Sequence, residues 1–136
     1  MHKLIAPLRV HKSKNKLFSL NLNTYRNENR FALDTAKVNF KKIMEEQILQ
    51  LPTFQKVRIT YVFYPGTRHL SDIGNACSVV DKFFADALVE LGKLPDDNYL
   101  YVPELAFRFG SIDREKPRVE IFIEEINYHA DNFKPR

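Results

Sequence analysis

Val57-Arg58-Ile59-Thr60-Tyr61-Val62-Phe63-Tyr64, closed by Pro65-Gly66, and then Asp72-Ile73-Gly74-Asn75-Ala76-Cys77-Ser78-Val79-Val80-Asp81-Lys82-Phe83-Phe84-Ala85-Asp86-Ala87-Leu88-Val89-Glu90-Leu91-Gly92, together decide the fold class. In the first run Val57, Ile59, Tyr61 and Phe63 alternate with Arg58, Thr60, Val62 and Tyr64, the period of two that a strand imposes. Its second face is also partly apolar, so that face too is expected to be covered and the strand to lie near the sheet centre. In the second run Ala76, Val79, Val80, Phe83, Phe84, Ala87, Leu88 and Leu91 recur at helical spacing and make a broad apolar face, with Gly92 placed to end it. The spacing predicts a helix from Ile73 or Ala76 to Leu91.

Toward the amino terminus, Leu4 to Val10 and Lys16 to Leu22 read as strands joined by the basic turn His11-Lys12-Ser13-Lys14-Asn15. Asn21 to Arg30 follows as a polar stretch, read as a loop that is either solvated or set against phosphates. Asp34 or Thr35 can cap a helix to Leu51, because Ala36, Phe40, Ile43, Met44, Ile48 and Leu51 share a face and Pro52 closes it. Its opposite face of Lys37, Lys41, Lys42, Glu45 and Glu46 reads as solvated. Beyond the second helix, Leu94 to Asn98 is a turn. Tyr99 to Val102 and Glu104 to Phe109 read as strand, and Pro103 between them points to an edge position or a bulge. The last strand is carried by Val119, Ile121 and Ile123, and Gly110 to Pro117 is expected to join it to its predecessor as a hairpin. Residues 127 to 136 lack any period and read as a flexible tail. The expectation is one α+β domain over residues 1–136, a mixed sheet with two main helices.

Composition bounds the function. At 136 residues and 44% apolar content the chain fits a single core without disulfides or a structural metal. Cys77 is the lone cysteine, so no intrachain disulfide or paired-cysteine zinc site exists, and the chain reads as a product of a reducing cytoplasm. No apolar run approaches the ~20 residues that span a bilayer, and Met1 to Pro7 is too short for a signal peptide, so a soluble protein away from membranes is expected. The net charge of +4 favours an anionic partner.

Against that basic balance stand Asp72, Asp81, Asp96 and Asp97, set among Arg68, His69 and Lys82. Clustered acids repel phosphate unless a divalent metal lies between them. Magnesium takes oxygen ligands and keeps several waters, so two or three carboxylates plus a substrate phosphate can fill its shell, and a nearby lysine adds stabilisation to the developing charge. The spacing alone leaves plainer roles open: Asp72 as an N-cap, Asp81 as half of an exposed pair, and Asp96-Asp97-Asn98 as turn residues bonding their own backbone.

The order of these motifs is more specific than any one of them. Asp72-Ile73-Gly74-Asn75, then Lys82 four residues before Asp86-Ala87-Leu88, then Leu94-Pro95-Asp96-Asp97-Asn98 and a final Pro117-Arg118-Val119-Glu120-Ile121, resembles the RusA family of Holliday-junction endonucleases over roughly Val57 to Ile126. The resemblance implies a RusA-like fold and a homodimer that binds four-way DNA junctions and cuts strands in pairs with Mg2+ or Mn2+. It implies metal-site roles for Asp72 and Asp97, with Lys82 as the helix lysine and Asn75 as the motif asparagine. Two departures stand out. Gly74 occupies the place of the motif's second aspartate, and the interval from Asp72 to Asp86 is about one helical turn longer than the pattern. An added turn keeps helix faces nearly in phase, so Asp81 can replace the missing acid. The same exchange fits a protein that binds junctions without cutting.

The metal-ligand set expected on this reading is Asp72, Asp81, Asp97 and Asp96, with Lys82 completing the catalytic group. Lys12, Lys14, Lys16, Arg26, Arg30, Arg68, His69 and Asn75 are the expected DNA contacts. A dimer also follows from the chemistry, because cutting a two-fold symmetric junction needs two symmetric sites. The setting implied is the cytoplasm of a bacterial host, or a phage-encoded protein within it. The four histidines show no metal-ligand spacing, Cys77 is expected in the core, and the scattered glycines form no nucleotide fingerprint.

Overall fold

His2–Ala6 (β1) begins a chain whose residues 1–127 are described by a computed structural model. There follow β2 (Arg9–Ser13), β3 (Lys16–Ser19), α1 (Leu22–Asn27), α2 (Arg30–Leu49), β4 (Val57–Tyr64), α3 (Ile73–Glu90), β5 (Glu104–Phe109) and β6 (Arg118–Glu125). Apart from Asn127, the expected tail and His129 lie outside the described residues.

The main sheet runs β1-β6-β4-β5, with β5 parallel to β4 and the other pairs antiparallel, while β2 and β3 form a separate hairpin. The class is α+β with a mixed sheet and two long helices, as the periodicities require. β4 is an interior strand whose Val57, Ile59, Tyr61 and Phe63 are buried against α3 and share one core with Phe40, Met44 and Ile48 of α2. No described helix packs on the opposite face. Arg58, Thr60, Val62 and Tyr64 are half-buried there, and Arg58 bridges Glu104 and Glu124 on the flanking strands at 2.8 and 3.4 Å.

α3 behaves as its sequence asks. Nine of its residues are buried, among them Cys77, Phe83, Phe84 and Leu88. Gly92 ends it with φ of 76°, which lets its own N–H reach Val89 O and the Lys93 N–H reach Leu88 O. Those two bonds satisfy carbonyls that the last turn would otherwise leave unpaired, which is why a residue without a Cβ stands there.

Five expectations need correction. The run Leu4 to Val10 is two strands, because Pro7 lacks the N–H to continue a ladder, and β1 and β2 enter different sheets. The polar stretch after β3 contains helix α1, capped by Asn21, whose Oδ1 accepts from Thr24 N at 2.8 Å. α2 starts at Arg30 rather than Asp34, because the Asn29 side chain accepts from Ala32 N and caps the helix one turn earlier. β5 and β6 form no hairpin: β4 lies between them.

Gly110 explains the last of these. Its N–H bonds Phe63 O, and a Cβ on it would meet Tyr64 Cζ at 2.5 Å, so the chain crosses tightly over the end of β4. β6 is then laid on β4's far side, where Val119, Ile121 and Ile123 are fully buried. Tyr99 to Val102 forms a turn rather than a strand, with the Tyr101 and Val102 N–H groups both bonding Asn98 O. Pro103 does precede an edge strand.

Candidate functional site

Asp81 is the one acid that α3 turns inward. It projects from the middle of the helix toward β4, where the fully buried Tyr61 hydroxyl donates to its Oδ1 at 2.6 Å. Burial pushes its carboxyl up from the ordinary value. The Tyr61 bond pulls down, the Asp97 charge adds to the rise, Lys82 opposes it and Asp86 adds again. Asp97 arrives from the turn after α3. Its carboxyl is also raised, first by burial and then by the hydrogen bond to Asp96 and the charges of Asp86 and Asp96. The charge of Asp97 is thus one of the causes that raise Asp81.

The turn after α3 thus brings Asp97 within electrostatic reach of Asp81 on α3, and Asp86 acts on both. Tyr61 and Asp86 are the members that reading the sequence did not assign to the site. Tyr61 read as strand core, which it is, and only its phenol oxygen carries the added role. Asp86 belongs to the quoted Asp-Ala-Leu run and sits 3.7 Å from Lys37 of α2.

Asp96 shapes the turn. Its Oδ1 accepts from Asp97 N at 2.7 Å and its Oδ2 from the Asn98 amide at 3.1 Å, while Asn98 Oδ1 accepts from Leu100 N. Asp72 is the exposed N-cap residue of α3, makes no side-chain cap bond, and caps through its carbonyl, which accepts from Asn75 N. Nine residues of helix put it roughly 13–14 Å along the axis from Asp81 and about half a turn round. The two are not brought together. Among the described residues no three His, Cys, Asp or Glu side chains converge as metal ligands. Asp81 and Asp97 as a pair still suit magnesium or manganese, which bind through one or two hard carboxylates and leave the remaining positions to water and phosphate.

The cationic side lies across α3. Lys82 is exposed, with its Nζ 5.7 Å from the centre of the Tyr25 ring on α1. Tyr25 and Phe18 of β3 both pack on Phe83, so α1 and the β2–β3 hairpin are fastened to the same helix. Lys12 at the hairpin grips Glu28 just past α1, and Lys16 lies close enough to help hold the Glu28 carboxyl below its usual range. Lys14 and Arg26 are exposed beside them in sequence, and Arg30 opens α2 with a loose 4.0 Å contact to Asp34. Arg68 and His69 are exposed in the loop leading from β4 to α3. Asn75 has a structural engagement: its Oδ1 accepts from Leu22 N at 3.0 Å and ties α1 to α3. At Gly74 a Cβ would meet nothing within 4 Å, so packing does not require a glycine there.

Cys77 is fully buried and its thiol is pushed up to about 12 by burial and then by Asp81, which removes it as a nucleophile. No described helix is long and apolar enough to cross a membrane. No protein-family model matches the chain, and no curated protein matches it.

Proposed function

We propose that the chain is a metal-dependent, structure-selective endodeoxyribonuclease of RusA type that resolves four-way DNA junctions by paired nicks. It would work as a homodimer with Mg2+ or Mn2+ in the cytoplasm of a bacterial or phage-infected cell. One observation supports the reading: Asp81 is turned toward β4 and held by the Tyr61 hydroxyl, with Asp97 from the following turn near enough for its charge to act on it, within a chain of net charge +4. Asp81 and Asp97 would hold the ion, which when bound polarises the scissile phosphate and stabilises charge on the leaving oxygen. Tyr61 fixes the Asp81 carboxylate through Oδ1 and leaves Oδ2 for a ligand. Lys82 and the hairpin lysines offer cations to the sugar-phosphate backbone, which sets register without reading bases.

A synthetic four-way junction incubated with the protein and magnesium or manganese tests this. Symmetric nicks are expected. Asp97→Asn should reduce cleavage by about a hundredfold or more while sparing junction binding, since it removes a metal ligand and adds no bulk. Uncut junctions across metal and salt conditions overturn the catalytic claim.

The second reading, a non-catalytic binder of branched DNA with the same fold, is favoured by the distance of Asp72 from Asp81 together with Gly74. It predicts junction binding of equal strength with and without metal. In either case the affinity falls steeply with salt.

A further inference from the structure

Lys82 stands four residues before Asp86 on α3, the spacing at which opposite charges meet on one helix face. That pair is not made. Asp86 is drawn across to α2 by Lys37 at 3.7 Å, and the acid just before Lys82, Asp81, is turned toward Tyr61. Among the described residues Lys82 makes no hydrogen bond and no ion pair. Its Nζ lies instead over the Tyr25 ring, 5.7 Å from the centre.

That ring is itself fixed. Leu22 N donates to Asn75 Oδ1 at 3.0 Å and ties α1 to α3, Asn21 caps the first turn, and the ring packs on Phe83 with centroids 6.5 Å apart. No residue of this six-residue helix is fully buried, yet it is capped and fastened, and what it delivers to α3 is the Tyr25 ring.

An aromatic face and a carboxylate hold a lysine in different ways. A carboxylate neutralises the ammonium and must be displaced before a phosphate can take its place. A ring face attracts the ammonium through its quadrupole, leaves the positive charge in place, and leaves N–H donors for an anion. It also restrains the long stem, so that less rotamer freedom remains to be lost on binding. The charge so held acts on the Asp81 carboxyl, where it opposes the rise caused by burial.

We propose that Tyr25 and Lys37 are positioning residues for Lys82: Tyr25 holds the ammonium over its ring, Lys37 keeps Asp86 from neutralising it, and Lys82 thereby stays open to a backbone phosphate of DNA. This deepens the proposed function and rests on its assignment of Lys82 to the sugar-phosphate backbone. Cleavage enters neither of the measurements that test it, so the catalytic claim can fail while this one stands.

The first measurement needs no DNA. In the NMR spectrum of the full chain the ring current should shift the Lys82 ε-methylene protons upfield. Tyr25→Phe should keep the shift, and Tyr25→Leu, which still covers Phe83 with an apolar side chain, should lose it. In Lys37→Ala the shift should shrink, because Asp86 is released to take Lys82, and adding Asp86→Asn should restore it. The second measurement is the affinity for a synthetic four-way junction without metal. Tyr25→Leu should weaken it about two- to fivefold and Tyr25→Phe should leave it unchanged. In a Lys82→Ala background Tyr25→Leu should cost nothing further, which a role in packing alone would not produce. An unshifted Lys82 in the wild-type chain, equal affinity of Tyr25→Leu and wild type, or a Tyr25→Leu loss that persists without Lys82 each overturns the role of Tyr25. A shift unchanged in Lys37→Ala overturns that of Lys37. A wild-type chain that binds no junction overturns the phosphate contact and the proposed function together.

Discussion

The two edges of the sheet are treated in opposite ways. At β1 the outward groups of Ile5 are both taken: its N–H donates to Gln47 Oε1 at 2.8 Å, and its carbonyl accepts from Gln47 Nε2 at 2.9 Å. One amide side chain from α2 thus occupies the place of a neighbouring strand and closes that edge. At β5 no described side chain does this, and the edge carries exposed Leu105 and Phe109. The contrast extends inward. Beneath the β1 side the core is apolar, whereas beside β5 Tyr61, in edge contact with Phe107, holds Asp81, the most deeply placed acid of the site. A closed edge limits growth of the sheet to one direction, and the open edge lies next to the proposed chemistry.

Disturbing the open side at its exit should have the largest effect. Gly110→Ala drives a methyl into the Tyr64 ring, and that ring cannot swing aside freely because the Arg118 guanidinium stacks on it at 4.0 Å. Overpacking of this kind costs about 1–3 kcal/mol. A urea melt should show the loss as a lower midpoint with an unchanged slope, and β5 amides should lose protection from hydrogen exchange. Gly74→Ala, with open space around it, is the control and should be neutral or mildly stabilising. Equal effects of the two would remove the close crossing as the device that places β5.

Opening the closed side comes next. Gln47→Ala removes both bonds to Ile5 at a partly solvated position, a loss of about 1 kcal/mol. The larger signal is in assembly. With two open edges, the chain should form species beyond a dimer as concentration rises, and sedimentation would register them. A variant that loses stability but keeps the wild-type assembly would show that Gln47 braces α2 without blocking the edge.

How much of this was legible beforehand follows from the range of the interactions. The apolar face of α3, its end at Gly92 and the alternation of β4 are local patterns, and they were readable because period and cap chemistry act within a few residues. α1 was hidden by polar residues, although the Asn21 cap and the i, i+3 pair of Leu22 and Tyr25 were available signals. The β5–β6 hairpin was a wrong inference from adjacency in sequence. What overrode it was the contact of Gly110 with Tyr64, two positions forty-six residues apart by number. Within the site, the order of motifs pointed to Asp72 and Asp97, with Asp81 only as a replacement for the acid missing at Gly74. That Asp72 stands apart is a consequence of helix rise alone and could have been drawn from the spacing. The Tyr61 bond could not, because it depends on how α3 sits on β4.

The smallest effect tests the charge beside the open edge. In the folded chain burial and the Asp97 charge raise Asp81, so the folded state holds a proton that the unfolded state has released above the ordinary value of 3.8. Stability is therefore fully retained below that value and lost as pH rises through the folded pKa. Asp81→Asn keeps an Oδ1 to accept from Tyr61 and removes the buried charge. The variant should gain about 0.5–1 kcal/mol at neutral pH, nothing at the acid end, and a flatter stability–pH curve. Magnesium should separate strain from function: added to the wild-type chain it should raise the melting temperature by binding the folded state, and added to Asp81→Asn it should do much less. A wild-type chain whose stability ignores both pH in this range and magnesium would remove Asp81 from any metal site and leave the difference between the two edges one of assembly alone.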